Sequence, residues 1–412
     1  MSPTKRKRSS SDAMFEEIEV CTLREQPPAR VEIDPDGDLC LKVGYNKCNS
    51  RRGPNGQKHD HEHAVIYVVD SKALSRSSPV WKAMLNKGFA ESKRPEPGQD
   101  WIVEFLEEDP KAMLIILNII HNRYGDVPRG EKAMPIHSLY RLTVLTDKYG
   151  LTSLLQPWAQ TWTKGLKDKL PGNRKVTSGK SSLTLNCLER LLWIAWELGN
   201  EQLFRGVYGY LVLNTTVEEG HLIEKNFKTK PFSTGISKPP AVCEHIKAER
   251  GKIISNILGV FNSKIDSFVF GDSQFCKHRP IDFISGDDKQ SCEAIMNSKF
   301  MKWLGCNKLW PLPDARDVHS NGIHLAALVT CSQLAGHRKE CHTFQDGEIA
   351  SILDPMNISL PENFKTHLET QAKKSGLDQQ SELRRRNCMN VRLGEEGPRG
   401  IYSECLTHKS NV

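Results

Sequence analysis

No run in the 412-residue sequence approaches the roughly 20 apolar residues needed to cross a bilayer. A membrane partner is therefore not expected. The opening Met-Ser-Pro-Thr-Lys-Arg-Lys-Arg has no apolar stretch behind it, so a secretory signal is not expected either. The 12 cysteines never stand in a C-x2-C pair. Without a secretion signal they read as reduced thiols rather than a disulfide framework. A Gly-rich phosphate loop, a nucleophile elbow and a His-Glu-x-x-His signature are also missing. With no assembled nucleophile, base or metal set, the sequence points away from an enzyme, and no cofactor is expected. No segment repeats.

What is present is ordinary for a chain of about two domains: 38% hydrophobic and 26% charged residues. The net charge is +7, and much of the excess lies in Lys5-Arg6-Lys7-Arg8 and Arg384-Arg385-Arg386. Charge held in tails rather than on a folded face reads as solubility, so direct nucleic-acid contact is not expected. The compact Lys5-Arg6-Lys7-Arg8 run, at the tip of a polar, Ser-rich stretch over 1–29, reads as a nuclear import signal on a disordered tail.

The densest patterning lies in residues 64–155. Ala64-Val65-Ile66-Tyr67-Val68-Val69 is a β-branched run short enough for a buried strand. Ser78 offers an N-cap and Pro79 a first helical position, with Val80, Met84 and Leu85 as the apolar face of the short helix that follows. Residues 101–105 read as a second strand. Asp109-Pro110 opens a longer helix in the same way. Its apolar positions Met113, Leu114, Ile116, Leu117 and Ile120 are dense enough to predict burial on most sides. The acidic Glu107-Glu108-Asp109 reads as helix-start electrostatics. Leu139, Leu142, Leu145 and Tyr149 mark a further helix, stopped at Gly150. Upstream, Val31-Glu32-Ile33, the Asp36-Gly37 turn and the alternating Leu39, Leu41 and Val43 read as the first hairpin.

Several residues carry a resemblance. They are Asp36-Gly37-Asp38-Leu39, residues 71–74, Ser77-Ser78-Pro79-Val80-Trp81 with Met84-Leu85, and Phe89 with Glu91-Ser92. Asp109-Pro110, His121, Asp126-Val127-Pro128 and Asp147-Lys148-Tyr149-Gly150 complete the set. In this order they resemble the BTB/POZ domain in its filamentous-fungal form, over 31–166 and loosely over 183–215. The resemblance implies an α+β fold, a small sheet capped by helices, that mediates protein–protein contacts. Some members bind cullin-type ubiquitin ligase scaffolds through a hydrophobic-x-Glu signature after the second short helix. Phe89-Ala90-Glu91 stands at that place, an aromatic anchor with an acidic rim. Many members self-associate. Lys72 and Asp38 look similar to a Lys/Arg–Asp pair of dimeric animal members, so a homodimer is an open expectation.

The rest of the chain is less marked. His59-x-His61-x-His63, within 46–63, has alternate histidines that suit a shared metal, but nothing beside them adds a ligand; the loop reads as solvated. After a Gly/Lys/Ser linker at 171–182, residues 183–215 read as two helices broken at Gly199 and packed on the first domain, their Trp and Tyr residues serving as core. Residues 226–241 read as a loop. Residues 243–370 form a mixed, mostly helical carboxyl-terminal region, with 246–270 a helix whose apolar side is Ile253, Ile254, Ile257, Leu258 and Phe261. In it Cys331, His337, Cys341 and His342 are zinc-type ligands without paired spacing, and no metal is assigned to them. Residues 371–412 read as a polar tail. The leading expectation is a nuclear, or partly cytoplasmic, interaction scaffold or substrate adaptor of a cullin-type ubiquitin ligase. A chromatin-associated transcriptional regulator that gathers partners through the BTB domain is one alternative. A metal-dependent enzyme built on the Cys/His set is another.

Overall fold

The structure, a computed structural model, describes residues 28–44, 64–130, 134–170, 183–224, 228–270, 287–315, 348–355 and 357–378. Lys5-Arg6-Lys7-Arg8, the His59, His61 and His63 run, the Cys331, His337, Cys341 and His342 set, and Arg384-Arg385-Arg386 lie outside the described residues. The described chain is α+β. None of its helices is long and apolar enough to cross a membrane.

Four short strands form one sheet: β1 (Ala29–Glu32), β2 (Leu39–Val43), β3 (Val65–Val69) and β4 (Ile102–Phe105), in the order β1-β3-β2-β4. β2 runs antiparallel to β3, with Leu41 opposite Tyr67, and parallel to β4, with Leu41 opposite Val103. The expected hairpin is corrected here. β1 and the Asp36-Gly37 turn do not fold back on β2; β1 lies on the far side of β3 and parallel to it, Val31 opposite Tyr67. The turn crosses the end of β3 instead. Ile33 and Asp34 both donate backbone N–H groups to the Val68 carbonyl, at 3.0 and 3.1 Å. A Cβ on Gly37 would come within 2.8 Å of the Val69 backbone, which only glycine avoids.

The helices start where local chemistry sets them. α1 (Ser71–Ser77) is capped by Asp70, whose side chain accepts from the Lys72 N–H. α2 (Pro79–Asn86) is capped by Ser78, whose Oγ accepts from the Trp81 N–H at 3.1 Å. The same hydroxyl donates to the Tyr149 carbonyl at 2.6 Å, at the end of α4 (Ile136–Tyr149). Both bonds are buried, so one small side chain closes two helix ends. Beneath it the rings of Trp81, Phe105 and Tyr149 pack with centroids 5.1–6.4 Å apart, joining α2, β4 and α4. Asp109 caps α3 (Pro110–Ile120) by accepting from the Ala112 N–H, and its other oxygen pairs with Arg141. Glu108 accepts from the Tyr149 hydroxyl at 2.8 Å and pairs with Lys148, so the acidic run anchors α4 as well as opening α3. Gly150, left-handed at φ +67°, ends α4.

Beyond the short α5 (Ala159–Thr163) lie α6 (Leu185–Leu198) and α7 (Glu201–Asn214), broken at Gly199 in the left-handed region. A hairpin follows, β5 (Thr215–Glu218) and β6 (His221–Glu224), where the sequence pattern shows no strand. Its turn residues Glu219 and Gly220 both have positive φ, the geometry of a tight two-residue turn. Then come α8 (Val242–Phe270), α9 (Asp287–Cys306), α10 (Glu348–Ile352) and α11 (Glu362–Ser375). One continuous apolar core runs from Ile33 through α6 and α8 to Leu368 of α11. The division expected at 370/371 meets a continuous helix. It falls inside α11, whose last residues Gln371 and Ser375 are buried against α6 through hydrogen bonds to Glu197 and the Leu198 carbonyl. The polar residues Gln371 and Ser375 make buried polar contacts, while Lys373 and Lys374 between them are exposed.

Ser78→Ala removes the α2 cap and strands the Tyr149 carbonyl. We expect a loss of about 1–2 kcal/mol in urea unfolding. An unchanged midpoint would contradict the double role of this hydroxyl.

Candidate protein-binding surface

α2 ends in a short tether that leads into an exposed aromatic. Gly88, at φ +79°, turns the chain out with open space where a Cβ would stand. Phe89 follows in extended conformation, 54% exposed. It is not a core residue. A single 3-10 turn, Ala90–Ser92, then folds under it. The Ser92 N–H and Oγ both donate to the Phe89 carbonyl, at 3.0 and 2.7 Å. The side chain is exposed while its own carbonyl is held twice by Ser92.

The loop is tied to the sheet through Glu91. The buried Trp101 donates its indole N–H to the Glu91 carbonyl at 2.9 Å. The Glu91 side chain is half-buried, and its carboxylate pairs with no described residue. The Arg94 guanidinium lies 4.5 Å over the Trp101 ring and reaches Asp38 at 3.2 Å. Ile102, 51% exposed, follows Trp101 on the edge strand β4. On α2, Val80 (42% exposed) and the half-buried Met84 stand one turn apart on one side.

The resemblance suggested that Lys72 and Asp38 form a pair. The structure does not bring them together. Asp38 accepts from the Ser71 N–H and hydroxyl, both at 2.8 Å, and pairs with Arg94, while Lys72 is exposed. Ser71, the first residue of α1, faces Asp38; Lys72 is one helical step further round and turns to water. Burial works to raise the Asp38 carboxyl. The Ser71 bonds and Arg94 outweigh it and hold the group below its ordinary value. His121 has a framework role too: its Nε2 accepts from the Asp70 N–H at 3.1 Å, and its Nδ1 lies 2.9 Å from the Leu117 carbonyl.

Elsewhere the described residues hold no group of three or more His, Cys, Asp or Glu side chains placed for a metal. Burial raises the Cys40 and Cys243 thiols, which keeps them protonated and poorly nucleophilic. Sequence reasoning missed Glu197 and Arg250. Glu197 is fully buried in α6, among Thr146, Thr152 and Gln371. Arg250 is buried in α8 with neither terminal nitrogen hydrogen-bonded, and burial lowers its pKa to about 10. No family model matches the chain, and no curated protein matches it.

An exposed side chain on a backbone-held loop contributes little to folding. Phe89→Ala is expected to leave thermal unfolding cooperative and stability within about 0.5 kcal/mol of the parent. A loss of about 3–5 kcal/mol would mean that Phe89 is core.

Proposed function

We propose that this chain is a BTB/POZ-type protein-interaction module that acts as a scaffold or substrate adaptor for a cullin-type ubiquitin ligase. The observation that carries the reading is Phe89: more than half exposed, on a loop fixed by Ser92 and Trp101, directly after the paired helices α1 and α2. The order β2-β3-α1-α2-β4-α3-α4, with helices covering a small sheet, supports it as the architecture that the resemblance implies. So does the free carboxylate of Glu91 two residues on, a rim charge that tunes association rate and salt dependence. An aromatic already held in position loses little entropy on binding, and such anchors contribute about 2 kcal/mol or more when they fill a partner's pocket. The chain is then a binding protein rather than an enzyme. Nuclear residence is part of the proposal and rests on Lys5-Arg6-Lys7-Arg8 in the sequence.

Titration calorimetry of the full chain against a purified cullin amino-terminal region tests this. Binding is expected with the parent chain and weakened at least about tenfold in Phe89→Ala, with Glu91→Gln changing mainly the salt dependence. Absence of binding by the parent chain would reject the adaptor reading. Equal binding by Phe89→Ala would reject the site.

A further inference from the structure

α11 is held on α6 by a polar node inside the core. Glu197 is fully buried. Its Oε2 accepts from Gln371 Nε2 at 2.9 Å; its Oε1 contacts the Thr152 hydroxyl and, at 3.4 Å, the Thr146 hydroxyl. On one side of the node Ser375 Oγ donates to the Leu198 carbonyl at 2.6 Å. On the other the His367 ring stacks on Trp196, centroids 3.7 Å apart, and Phe364 meets Trp196 edge-on at 5.1 Å. Between them the helices nearly touch: a Cβ on Gly199 would lie 2.1 Å from the Ala372 nitrogen.

What the node lacks is a counter-ion. No cation forms an ion pair with Glu197 among the described residues. An ionised carboxylate buried on two hydroxyls and one amide is poorly compensated. A neutral carboxyl is well served there, because a threonine hydroxyl accepts as readily as it donates. We propose that Glu197 is a proton-controlled clasp: protonated, it keeps α11 docked on α6; deprotonated, it loosens α11 and uncovers the α6–α7 face beneath.

Burial pushes the Glu197 carboxyl up to about 8 from its ordinary 4.5. The Thr152 bond, Lys374 and the Thr146 bond oppose the rise, and Asp147 adds to it. The charges that act on Glu197 are Asp147 from α4 and Lys374 from α11; His367 of α11 stacks on Trp196 beside it, and Glu201 and Arg205 of α7 pair with each other. Once α11 leaves, water reaches Glu197 and its pKa returns toward 4.5. Between these values the docked state holds the extra proton. Docking therefore weakens as pH rises toward about 8 and levels off above it. His367 acts in the opposite range. Burial lowers its pKa, so its protonation on the acid side opposes docking. Above neutrality Glu197 is the group whose proton the docked state holds.

Hydrogen exchange of the full chain at about pH 7 and about pH 9, corrected for intrinsic exchange, reads the clasp. Opening of α11 relative to α3 is expected to rise about tenfold across this interval in the parent chain and to stay flat in Glu197→Gln, which keeps the shape and removes the titration. Asp147→Asn, an exposed substitution, should move the midpoint to lower pH by removing a charge that favours the protonated form. A flat parent profile, or the same rise in Glu197→Gln, overturns the proposal. If Glu197→Gln fails to dock α11 at all, the Asp147→Asn midpoint decides, and an unmoved midpoint overturns it.

Discussion

α6 is buried on almost every side: 11 of its 14 residues are inside, Glu189 and Glu197 among them. A helix apolar all round has no stable surface until its neighbours close over it. α4, α7 and α11 do so, with the 228–241 segment and α8 beyond. The enclosed carboxylates then select the partners. Glu189 accepts from the Phe232 N–H at 2.6 Å and Glu197 takes Gln371, so two segments far apart in sequence are fixed by buried acceptors. Apolar burial supplies most of the driving force. The polar bonds choose which arrangement satisfies it, because an unpaired buried acceptor costs about 1–3 kcal/mol.

The sheet end of the molecule follows a different logic. Its core, around Trp81, Phe105 and Tyr149, is closed by α2, α3 and α4. What remains outside is a loop whose backbone bonds are satisfied internally and whose side chains are not. Phe89 and Ile102 stay exposed, and the Glu91 carboxylate is unpaired among the described residues. Rigid backbone with free side chains is the arrangement that lowers the ordering cost of association. The binding reading and the α11 clasp thus use separate parts of one core, and each is tested by its own variants.

The helix ends were legible because they are governed by neighbours in sequence. Ser78-Pro79, Asp109-Pro110, Gly150 and Gly199 are caps, and caps act within one turn. The long-range choices were not legible. Nothing local places β1 beside β3 rather than β2, or gives Asp38 to Arg94 rather than Lys72. The β5–β6 turn is Glu-Gly, without the Asn-Gly or Asp-Gly cue. Gln371 and Ser375 look solvated until Glu197 and the Leu198 carbonyl are seen to take their hydrogen bonds. α9 carried a readable signal: Cys292, Met296, Phe300 and Leu304, four apart and all buried, mark its inner face. The exposure of Phe89 was beyond the sequence, since an aromatic after a helix packs inward as readily as it projects.

The central claim is that the Phe89 loop is where a partner sits. A photo-crosslinking aromatic amino acid installed in place of Phe89, and separately in place of the exposed Tyr124, tests it against a purified cullin amino-terminal region. The account predicts a covalent adduct from position 89 and none from position 124. An adduct from 124 alone, or from neither position while the two proteins still associate, would place the contact elsewhere and contradict the account.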